Sequence, residues 1–345
     1  MDKYLDCDFV FGDTCDDIKQ MDYSLLNSKV INVKNIKIGP FVWQQGVIRQ
    51  LYQPYKNYIL LGQLNILSMW IFMLLAKFTH KKIFLWTHGW YGRESTVKKN
   101  IKKLFFSLAD GMLIYGDYAI NLMKKEGFKA SKLFAIHNSL DYDKQITIRN
   151  NIMPTSVYTD HFGNDNHNLI FIGRLTKIKQ LDMILEALKQ SNQAGINYNL
   201  TYIGRGEDED QLRNIAKELG IEKQVWFYGA CYAEEELSQL IYSADLCVAP
   251  GNVGLTSIHC LTYGCPVVTH NNFPMQMPEF EAIKEGETGA FFTYNNQDSL
   301  TETINKWFSL SLNREDVRAA AYKEIDERWN PHYQIEIIKN LLETK

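Results

Sequence analysis

The chain has 345 residues, of which 46% are apolar and 22% are charged, and its formal net charge at pH 7 is -3. This length exceeds what one hydrophobic core normally serves, so we expect two domains with the composition of a soluble globular protein. The net charge does not favour a nucleic-acid partner.

The first 150 residues alternate between strand-like and helix-like segments, and they make up the predicted first domain. Strands are predicted at residues 7–12, 29–39, 58–62, 82–89, 112–116 and 132–138, and helices at 64–77, 95–111 and 117–128. Such alternation predicts a mostly parallel sheet with helices on both faces. The apolar run 66–76 is about half as long as the roughly 20 residues of a membrane-spanning helix, so a buried helix is expected there.

Cysteine usage and the N-terminal composition bear on the cellular compartment. The six cysteines contain no Cys-x-x-Cys pair, and the acidic start of the chain lacks the basic-then-apolar order of a secretory signal. We therefore expect reduced thiols and a cytoplasmic location.

A basic segment stands out in the first domain. Between Lys77 and Phe106, seven lysines and one arginine face a single acid, Glu94. Four of the lysines repeat at helical spacing: Lys98, Lys99, Lys102 and Lys103. Two interpretations remain open, a solvated helix face or a surface that docks onto anionic lipid headgroups as in a peripheral membrane protein.

The alternation pauses and then restarts. Residues 151–167 are polar and aperiodic and predict a linker. The second domain is predicted over 168–326, with strands at 168–172, 199–204, 225–229, 246–250 and 266–270 and helices between them. A helical C-terminal segment follows at 327–345.

Two cations mark the first strand-to-helix turn of the second domain. In "IFIGRLTKIKQLDMILEAL" (170–188), Arg174 and Lys179 lie between an apolar strand and an amphipathic helix. Ligands of open α/β sheets bind at the carboxyl ends of strands, where helix N-termini add free N–H groups and partial positive charge. The pair predicts a diphosphate site, the alternative being a solvated surface pair.

A second turn of this kind is "PGNVGLTSIH" (250–259), where small residues precede a helix start. Free amides are expected at Gly254, Leu255 and Thr256. Two such turns in one domain suggest a nucleotide held between them.

Five segments of this half resemble the nucleotide-binding domain of GT-B glycosyltransferases, the large retaining group often called family 4. They are "GRLTKIK" (173–179), "YIGRGED" (202–208), "VWFYG" (225–229), "GLTSIHCLTYGCPVVTH" (254–270) and "EAIKEGETGAFF" (281–292), in the family's order and spacing. The first half matches through "WTHG" (86–89) and "HNSLD" (137–141).

The resemblance implies an α/β fold of two Rossmann-like, doubly wound domains facing each other across a cleft, with the segment 327–345 crossing back to the first. It implies that Arg174 and Lys179 bind the diphosphate of a UDP- or GDP-sugar, assisted by Gly173 and the amides of Gly254, Leu255 and Thr256. The turn at Tyr228 and Gly229 would meet the base, and His88 would face the transferred sugar. The implied acceptor is a glycan or a lipid-linked oligosaccharide, in bacterial surface polysaccharide synthesis, with no metal and no cofactor.

The sequence departs from this family at three places. Two glutamates, one near the sugar and one on the ribose, are replaced by Gly251 and His259. A neutral imidazole accepts one hydrogen bond where a carboxylate accepts from both ribose hydroxyls, so His259 either keeps part of the ribose role or satisfies a core contact. Sugar recognition is then expected to shift to Asn252, to other backbone groups or to the opposite domain, and Glu281 is a candidate for the sugar hydroxyls.

The third departure is "DTCDDIKQ" (13–20), which is acidic where the family has a glycine-rich loop, so the first βα unit is either abbreviated or carries another kind of acceptor loop. The missing glutamates also leave a rival hypothesis, a catalytically silent relative that binds a glycan or a partner transferase. A phosphorylase or sugar-nucleotide epimerase on the same scaffold is a further alternative.

Overall fold

The computed structural model describes residues 1–13 and 22–343 and divides into two compact units. The first unit comprises Met1–Ile136 together with the C-terminal residues from His332 onward, and the second comprises His137–Pro331. Beyond Asp13, the acidic loop predicted at 13–20 lies outside the described residues.

The strands are β1 (Phe9–Gly12), β2 (Val30–Ile38), β3 (Phe41–Gln45), β4 (Asn57–Leu61), β5 (Lys82–Thr87), β6 (Gly111–Ile114), β7 (Leu133–Ala135), β8 (His167–Ile172), β9 (Tyr198–Ile203), β10 (Val225–Gly229), β11 (Leu246–Ala249), β12 (Val267–His270) and β13 (Gly289–Phe292). The helices are α1 (Leu67–Ala76), α2 (Thr96–Ser107), α3 (Asp117–Lys125), α4 (Tyr142–Arg149), α5 (Val157–Phe162), α6 (Asp182–Gln193), α7 (Glu209–Glu218), α8 (Glu234–Ser243), α9 (Leu255–Thr262), α10 (Gln297–Ser309), α11 (Arg314–Arg328) and α12 (Pro331–Glu343).

The first unit contains two sheets rather than one. Strands β4 to β7 form a parallel sheet in chain order, whereas β1, β2 and β3 form a separate sheet in which β2 and β3 are antiparallel. The sequence did not predict β3. It follows a two-residue turn that pairs Ile38 with Phe41, and Gly39 in that turn has φ +58°, a left-handed conformation that favours glycine in a tight hairpin.

Helices α1 and α2 and the C-terminal helix α12 all contribute to the core of the first unit. The rings of Trp70 on α1 and Phe105 on α2 are 4.7 Å apart, which places these helices side by side. Ile338 on α12 is fully buried against Leu113 and Ile136. The last helix is thus part of a unit whose other residues end almost 200 positions earlier.

The second unit is built on a six-stranded parallel sheet in the order β10-β9-β8-β11-β12-β13. The chain reverses its direction of strand addition between β8 and β11. At such a switch point the loops that follow the two strands diverge to opposite faces and leave a crevice at the carboxyl edge, where ligands bind in open α/β sheets.

The division between the units falls at Ile136 rather than at residue 150, and the segment predicted as a linker is partly helical. Tyr158 on α5 is buried and its hydroxyl donates to the carbonyl of Leu240 over 2.7 Å. Arg149 on α4 forms an ion pair with Asp326 at 2.7 Å. Residues 137–167 therefore belong to the second unit because their side chains bond to its helices.

Candidate functional site

The turn after β8 is fixed by close backbone contacts. The amide of Gly173 donates to the carbonyl of Ile203 over 3.0 Å, so this turn lies against the end of β9. A Cβ atom on Gly204 would lie 1.8 Å from the carbonyl oxygen of Gly173. Only glycine allows this approach, and it holds the following residues at the switch point.

The two predicted cations lie within electrostatic range of each other. Burial, and then the charge of Arg174, lower the pKa of Lys179. The ammonium of Lys179 donates to the carbonyl oxygen of Asn252 over 2.6 Å and to its Oδ1 over 2.8 Å, and the amide of Gly251 donates to the carbonyl of Lys179. Lys179 therefore joins the loop after β8 to the loop after β11, while Arg174 is exposed beside it.

The loop after β11 is held by buried polar side chains. Gln276 accepts from the amide of Val253 over 2.9 Å, and its own amide donates to Thr269 Oγ1 and to the carbonyl of His270. The hydroxyl of Thr269 in turn donates to the carbonyl of Ala249 over 2.8 Å. The loop is thus fixed before any ligand arrives, which is what a preorganised anion site requires.

Helix α9 begins at this loop. Gly254 precedes it with φ 53° and ψ -150°, a conformation essentially restricted to glycine. The hydroxyl of Thr256 donates to the carbonyl of Ile172 over 2.7 Å and attaches the start of α9 to the end of β8. The first amides of α9, including that of Leu255, have no helical acceptors and carry partial positive charge beside the two cations.

Position 251 has no room for the glutamate that the family resemblance leads one to expect. A Cβ atom on Gly251 would lie 2.2 Å from the carbonyl oxygen of Ile178 and 2.7 Å from the Cα of Lys179. The backbone after β8 thus approaches the loop after β11 where a side chain would begin. The absence of a carboxylate at this position therefore follows from the geometry of the loop. The single substitution Gly251→Glu would place the new side chain against the backbone of Ile178 and Lys179.

His259 is engaged with a carboxylate from the neighbouring helix. Its Nε2 lies 2.9 Å from Oε1 of Glu234, the first residue of α8, and the same oxygen accepts from the hydroxyl of Tyr263 over 2.7 Å and from the amide of Gln145 over 2.9 Å. Burial alone would raise the pKa of Glu234, but these hydrogen bonds outweigh it and lower the pKa to about 2. Sequence reasoning missed Glu234.

The buried carboxylate near the start of α9 belongs to Glu279 rather than to Glu281. Glu279 is 2% exposed, and its Oε1 accepts from the amide of Asn138 over 2.7 Å. Ser257 donates to the carbonyl of Glu279, and burial raises the pKa of this carboxyl despite the nearby ammonium of Lys179. Glu281 is only half-buried.

The turn after β10 lies at the edge of the same sheet. The hydroxyl of Tyr228 donates to Glu236 on α8, and burial together with this bond raises the pKa of Tyr228 to about 12. Gly229 has φ +90°, and its carbonyl accepts from the amide of Gly204 over 2.8 Å. This turn is therefore tied to the turn after β9.

His88 lies in the first unit, directly after β5. Its ring is 4.8 Å from that of Tyr115, and burial, followed by the charge of Lys102, lowers its pKa. The imidazole is therefore neutral at pH 7.

The four lysines of α2 do not form one basic face, contrary to the prediction. Lys102 is 6% exposed and donates to Glu94 Oε1 and to the carbonyl of Gly89, each over 2.7 Å. Lys99 and Lys103 both form ion pairs with Glu126, and Lys98 is exposed. Lys102 points inward because the single acid of the segment lies beneath the helix.

Among the described residues, no three His, Cys, Asp or Glu side chains are grouped so that they could hold a metal ion. None of the described helices combines the length and the hydropathy of a membrane span. The acidic run 206–210 leads into α7, where acids favour the positive end of the helix dipole.

Comparison with known proteins shows what most of the second unit is similar to. Residues 161–324 match the family model of the glycosyl transferases group 1. The match covers just under half of the chain, and this segment is similar to a group 1 glycosyltransferase domain. Arg174, Lys179, the start of α9 and Glu234 all lie within the matched segment.

Relatives in sequence are distant. The chain is 26% identical over 170 residues to an uncharacterised glycosyltransferase of Methanocaldococcus jannaschii, covering 48% of this chain and 42% of that relative. It is 21% identical over 299 residues to a 41.2 kDa protein from the cps region of Klebsiella pneumoniae, covering 82% and 75% of the two chains. The match to the M. jannaschii protein and that to a Haemophilus influenzae glycosyltransferase each span about two-fifths of the relative, 42% and 39%.

Solved structures share the fold along most of the chain. Anabaena HepE in complex with UDP superposes with a TM-score of 0.69 at 16% identity, covering 91% of this chain and 86% of HepE. The apo form of the lipopolysaccharide outer core galactosyltransferase WaaB also gives 0.69 at 16% identity, covering 94% and 87%. The fold is GT-B, an α/β architecture of two Rossmann-like units.

Proposed function

We propose that the chain is a retaining glycosyltransferase that moves a sugar from a UDP- or GDP-sugar to a glycan or lipid-linked oligosaccharide. One observation carries this proposal. Arg174, Lys179 and the start of α9 bring positive charge together at the switch point of the second unit. A nucleoside diphosphate is the leaving group whose developing negative charge such a site stabilises.

The comparisons support the choice of substrates. HepE was solved with UDP and with UDP-glucose, WaaB is named a lipopolysaccharide galactosyltransferase, and the Klebsiella relative comes from a cps region. We therefore propose a role in bacterial surface polysaccharide synthesis, in the cytoplasm.

The proposed donor contacts are those that the sequence predicts. The diphosphate would be bound by Arg174, Lys179, Gly173 and the amides at Gly254, Leu255 and Thr256. Asn252 and Glu281 would contact the sugar. The turn at Tyr228 and Gly229 would meet the base, and His259 would contribute to the ribose pocket.

The proposed chemistry needs no protein nucleophile. An acceptor oxygen forms the new bond to the anomeric carbon on the face from which the diphosphate departs, and the acceptor's proton passes to the leaving phosphate oxygen. Configuration is then retained. The side-chain cations and helix amides supply the positive charge, so we propose that no metal or organic cofactor is needed, and a chelator such as EDTA should leave the rate unchanged.

The test begins with donor binding. In a thermal-shift panel of uridine, guanosine and adenosine diphosphates and their sugars, the nucleotides of one base should stabilise the chain. The expected gain is about 2.7 kcal/mol at a hundredfold excess of ligand over its dissociation constant. A radiolabelled form of that donor then reports transfer to acceptor. Arg174→Ala should lower the transfer rate about 100- to 1000-fold, as losing one preorganised oxyanion donor does.

Near-normal turnover of the Arg174→Ala variant would show that the diphosphate lies elsewhere. Arg49→Ala is a matched control, since that arginine is exposed in the first unit. If no nucleoside diphosphate binds, the silent binding subunit replaces the enzyme hypothesis. Isomerised donor or free sugar phosphate would indicate an epimerase or a phosphorylase.

We also propose that the first unit contacts the surface of an anionic membrane, through an apolar face rather than through a row of lysines. The exposed large apolar residues of α2 are Val97, Ile101 and Leu104, at 70%, 45% and 60% exposure. Phe78, just after the adjacent helix α1, is 89% exposed. Isolated exposed apolar residues are ordinary, but several on neighbouring helices mark an interaction surface.

Charge complementarity supports lipid as the partner of this face. Lys98 is exposed beside the apolar residues, and Lys99 and Lys103 share one acid, Glu126. Lys124 and Lys125 precede that acid on α3 and are also exposed. An apolar face flanked by lysines is typical of helices that lie in the interface of an anionic bilayer.

Vesicle sedimentation tests this contact. The chain should sediment with vesicles of phosphatidylcholine and phosphatidylglycerol but not with phosphatidylcholine alone, and Val97→Ser with Leu104→Ser should abolish sedimentation. Leu310→Ser with Leu312→Ser, exposed positions of the second unit, should leave it intact. Unchanged sedimentation of the Val97/Leu104 variant, or no sedimentation of the parent chain, contradicts the proposal.

A further inference from the structure

Glu234 has the geometry of a carboxylate prepared for a ligand. Its Oε1 accepts three hydrogen bonds, from His259, Tyr263 and Gln145, at 2.7 to 2.9 Å. Its Oε2 accepts none from the described residues. Three donors on one oxygen fix the side chain and leave the other oxygen available, which is the arrangement expected of a preorganised acceptor.

The state of this group suits a hydrogen-bond acceptor. Because the donors lower its pKa to about 2, Glu234 is a carboxylate at neutral pH and can only accept. When the imidazole is neutral, Nε2 of His259 donates to that carboxylate and Nδ1 is unprotonated. The side chains of Glu234 and His259 are 19% and 15% exposed, so the pair is partly accessible.

The location fits the ribose of a bound nucleotide. Glu234 begins α8 and His259 lies in α9, and both helices begin at the carboxyl edge of the sheet. His259 is four residues beyond Leu255, or about 6 Å along the helix from the amides assigned to the diphosphate. In Rossmann-like nucleotide sites a carboxylate near the diphosphate accepts from the ribose hydroxyls.

We propose that Glu234 supplies the ribose-binding carboxylate of this chain, with Oε2 accepting from a ribose hydroxyl and with His259 as the positioning residue that holds it. Position 259 itself carries no carboxylate, so in this chain the acid comes from α8 instead of α9. The inference rests on the proposed nucleoside-diphosphate donor. It adds a residue that distinguishes the ribose of the nucleotide from deoxyribose.

The consequence is discrimination between ribose and deoxyribose. A hydroxyl that donates a hydrogen bond to a fixed carboxylate raises the affinity by a factor on the order of 10 to 100. The nucleoside diphosphate identified by the thermal-shift panel should therefore bind more tightly than its 2′-deoxy or its 3′-deoxy analogue by that factor. Titration calorimetry on the full chain measures the ratio.

Variants assign the discrimination to Glu234. Glu234→Ala should remove the preference for ribose while the affinity for inorganic pyrophosphate, which has no ribose, stays at the parent value. Glu235→Ala is the matched control, because that neighbour is exposed and pairs with Lys144 at 3.1 Å. It should keep the parent ratio.

A compensating pair makes the test sharper. His259→Glu alone places two carboxylates against each other and should weaken nucleotide binding. His259→Glu combined with Glu234→Ala leaves one carboxylate, now on α9, and should recover part of the ribose preference. This pair also guards against a Glu234→Ala variant that folds poorly, which circular dichroism would reveal.

Three outcomes overturn the proposal. In Glu234→Ala, the affinity ratio of the ribonucleotide to its deoxy analogues could be unchanged, or the affinity for pyrophosphate could fall as much as that for the nucleotide. In the parent chain, the ribonucleotide and its deoxy analogues could bind equally tightly. Each differs from failure of the proposed function, in which the parent chain binds no nucleoside diphosphate.

Discussion

At the scale of single residues, the second unit contains a carboxylate whose burial is costly. Glu279 is 2% exposed, and although Asn138 donates to its Oε1, its Oε2 has no hydrogen-bond partner among the described residues. Burying a charge without full pairing disfavours the ionised form, and burial accordingly raises the pKa of Glu279 above its ordinary 4.5.

This shift predicts the pH dependence of stability. Once the pH exceeds 4.5, the unfolded chain releases a proton that folded Glu279 still holds, so the free energy of unfolding falls as pH rises through the window above 4.5. Glutamine cannot ionise, and its amide oxygen still accepts from Asn138. We expect Glu279→Gln to lack this decline and to be more stable than the parent above the window.

Urea unfolding of parent and variant, followed from about pH 4 to about pH 8, measures the effect. Glu287→Gln, an exposed carboxylate in the same segment, is the control and should follow the parent curve. Parallel curves for Glu279→Gln and the parent would mean that Glu279 ionises as freely in the folded chain as in the unfolded one.

A site residue could be predicted when its position follows from the local sequence. Arg174, Lys179 and the glycines stand at fixed offsets from strand ends, so their positions at the edge of the sheet could be predicted. The partners of His259 and the burial of Glu279 depend on which helices pack together, and no periodicity reports that. For Glu279 the only local signal was Pro278, directly before it, which marks the Pro-Glu turn more closely than Glu281 does.

At the scale of elements, α2 depends on a buried ion pair. Lys102 and Glu94 are 2.7 Å apart, with side chains 8% and 2% exposed. Removing one partner of a buried pair typically costs about 3–5 kcal/mol, because the other charge is left unpaired. We expect Lys102→Met to lower the stability of the first unit by this amount, measured by chemical unfolding with hydrogen exchange to locate the loss.

Two comparisons check the assignment. Lys98→Met removes an exposed lysine from the same helix and should change stability by less than about 0.5 kcal/mol. Lys102→Met with Glu94→Gln should cost less than the sum of the single changes, since it leaves no buried charge unpaired. A cost for Lys102→Met no larger than that for Lys98→Met would contradict the structural role.

The prediction of elements succeeded where one periodicity extends over many residues. The strands and helices of the second unit alternate along the whole sequence, and their order alone indicated the parallel sheet. Strand β3 was missed because its five residues follow β2 after only two turn residues, and the segment shows no clear alternation. The burial of Lys102 was not predicted, because helical spacing shows that the lysines recur but does not show that Glu94 lies beneath the helix as a partner for one of them.

At the scale of the whole molecule, the chain returns to its first unit at the end. Residues from His332 onward belong with Met1–Ile136, although they directly follow the second unit in sequence. The contact depends on apolar burial, because Ile338 is fully buried against Leu113 and Ile136. Helical periodicity in the last segment predicted a helix, but only the family resemblance suggested where it packs.

This arrangement predicts which segments lose stability when the packing of the last helix is weakened. Ile338→Ala leaves a cavity and should cost about 2–5 kcal/mol. Amide exchange should then accelerate in β6 and β7, which lie some 200 residues earlier but in the same unit. Exchange in α11, which immediately precedes α12 in sequence, should change little. Hydrogen exchange with mass spectrometry resolves these segments, and acceleration confined to α11 would show that α12 is stabilised by its sequence neighbours instead of by the first unit.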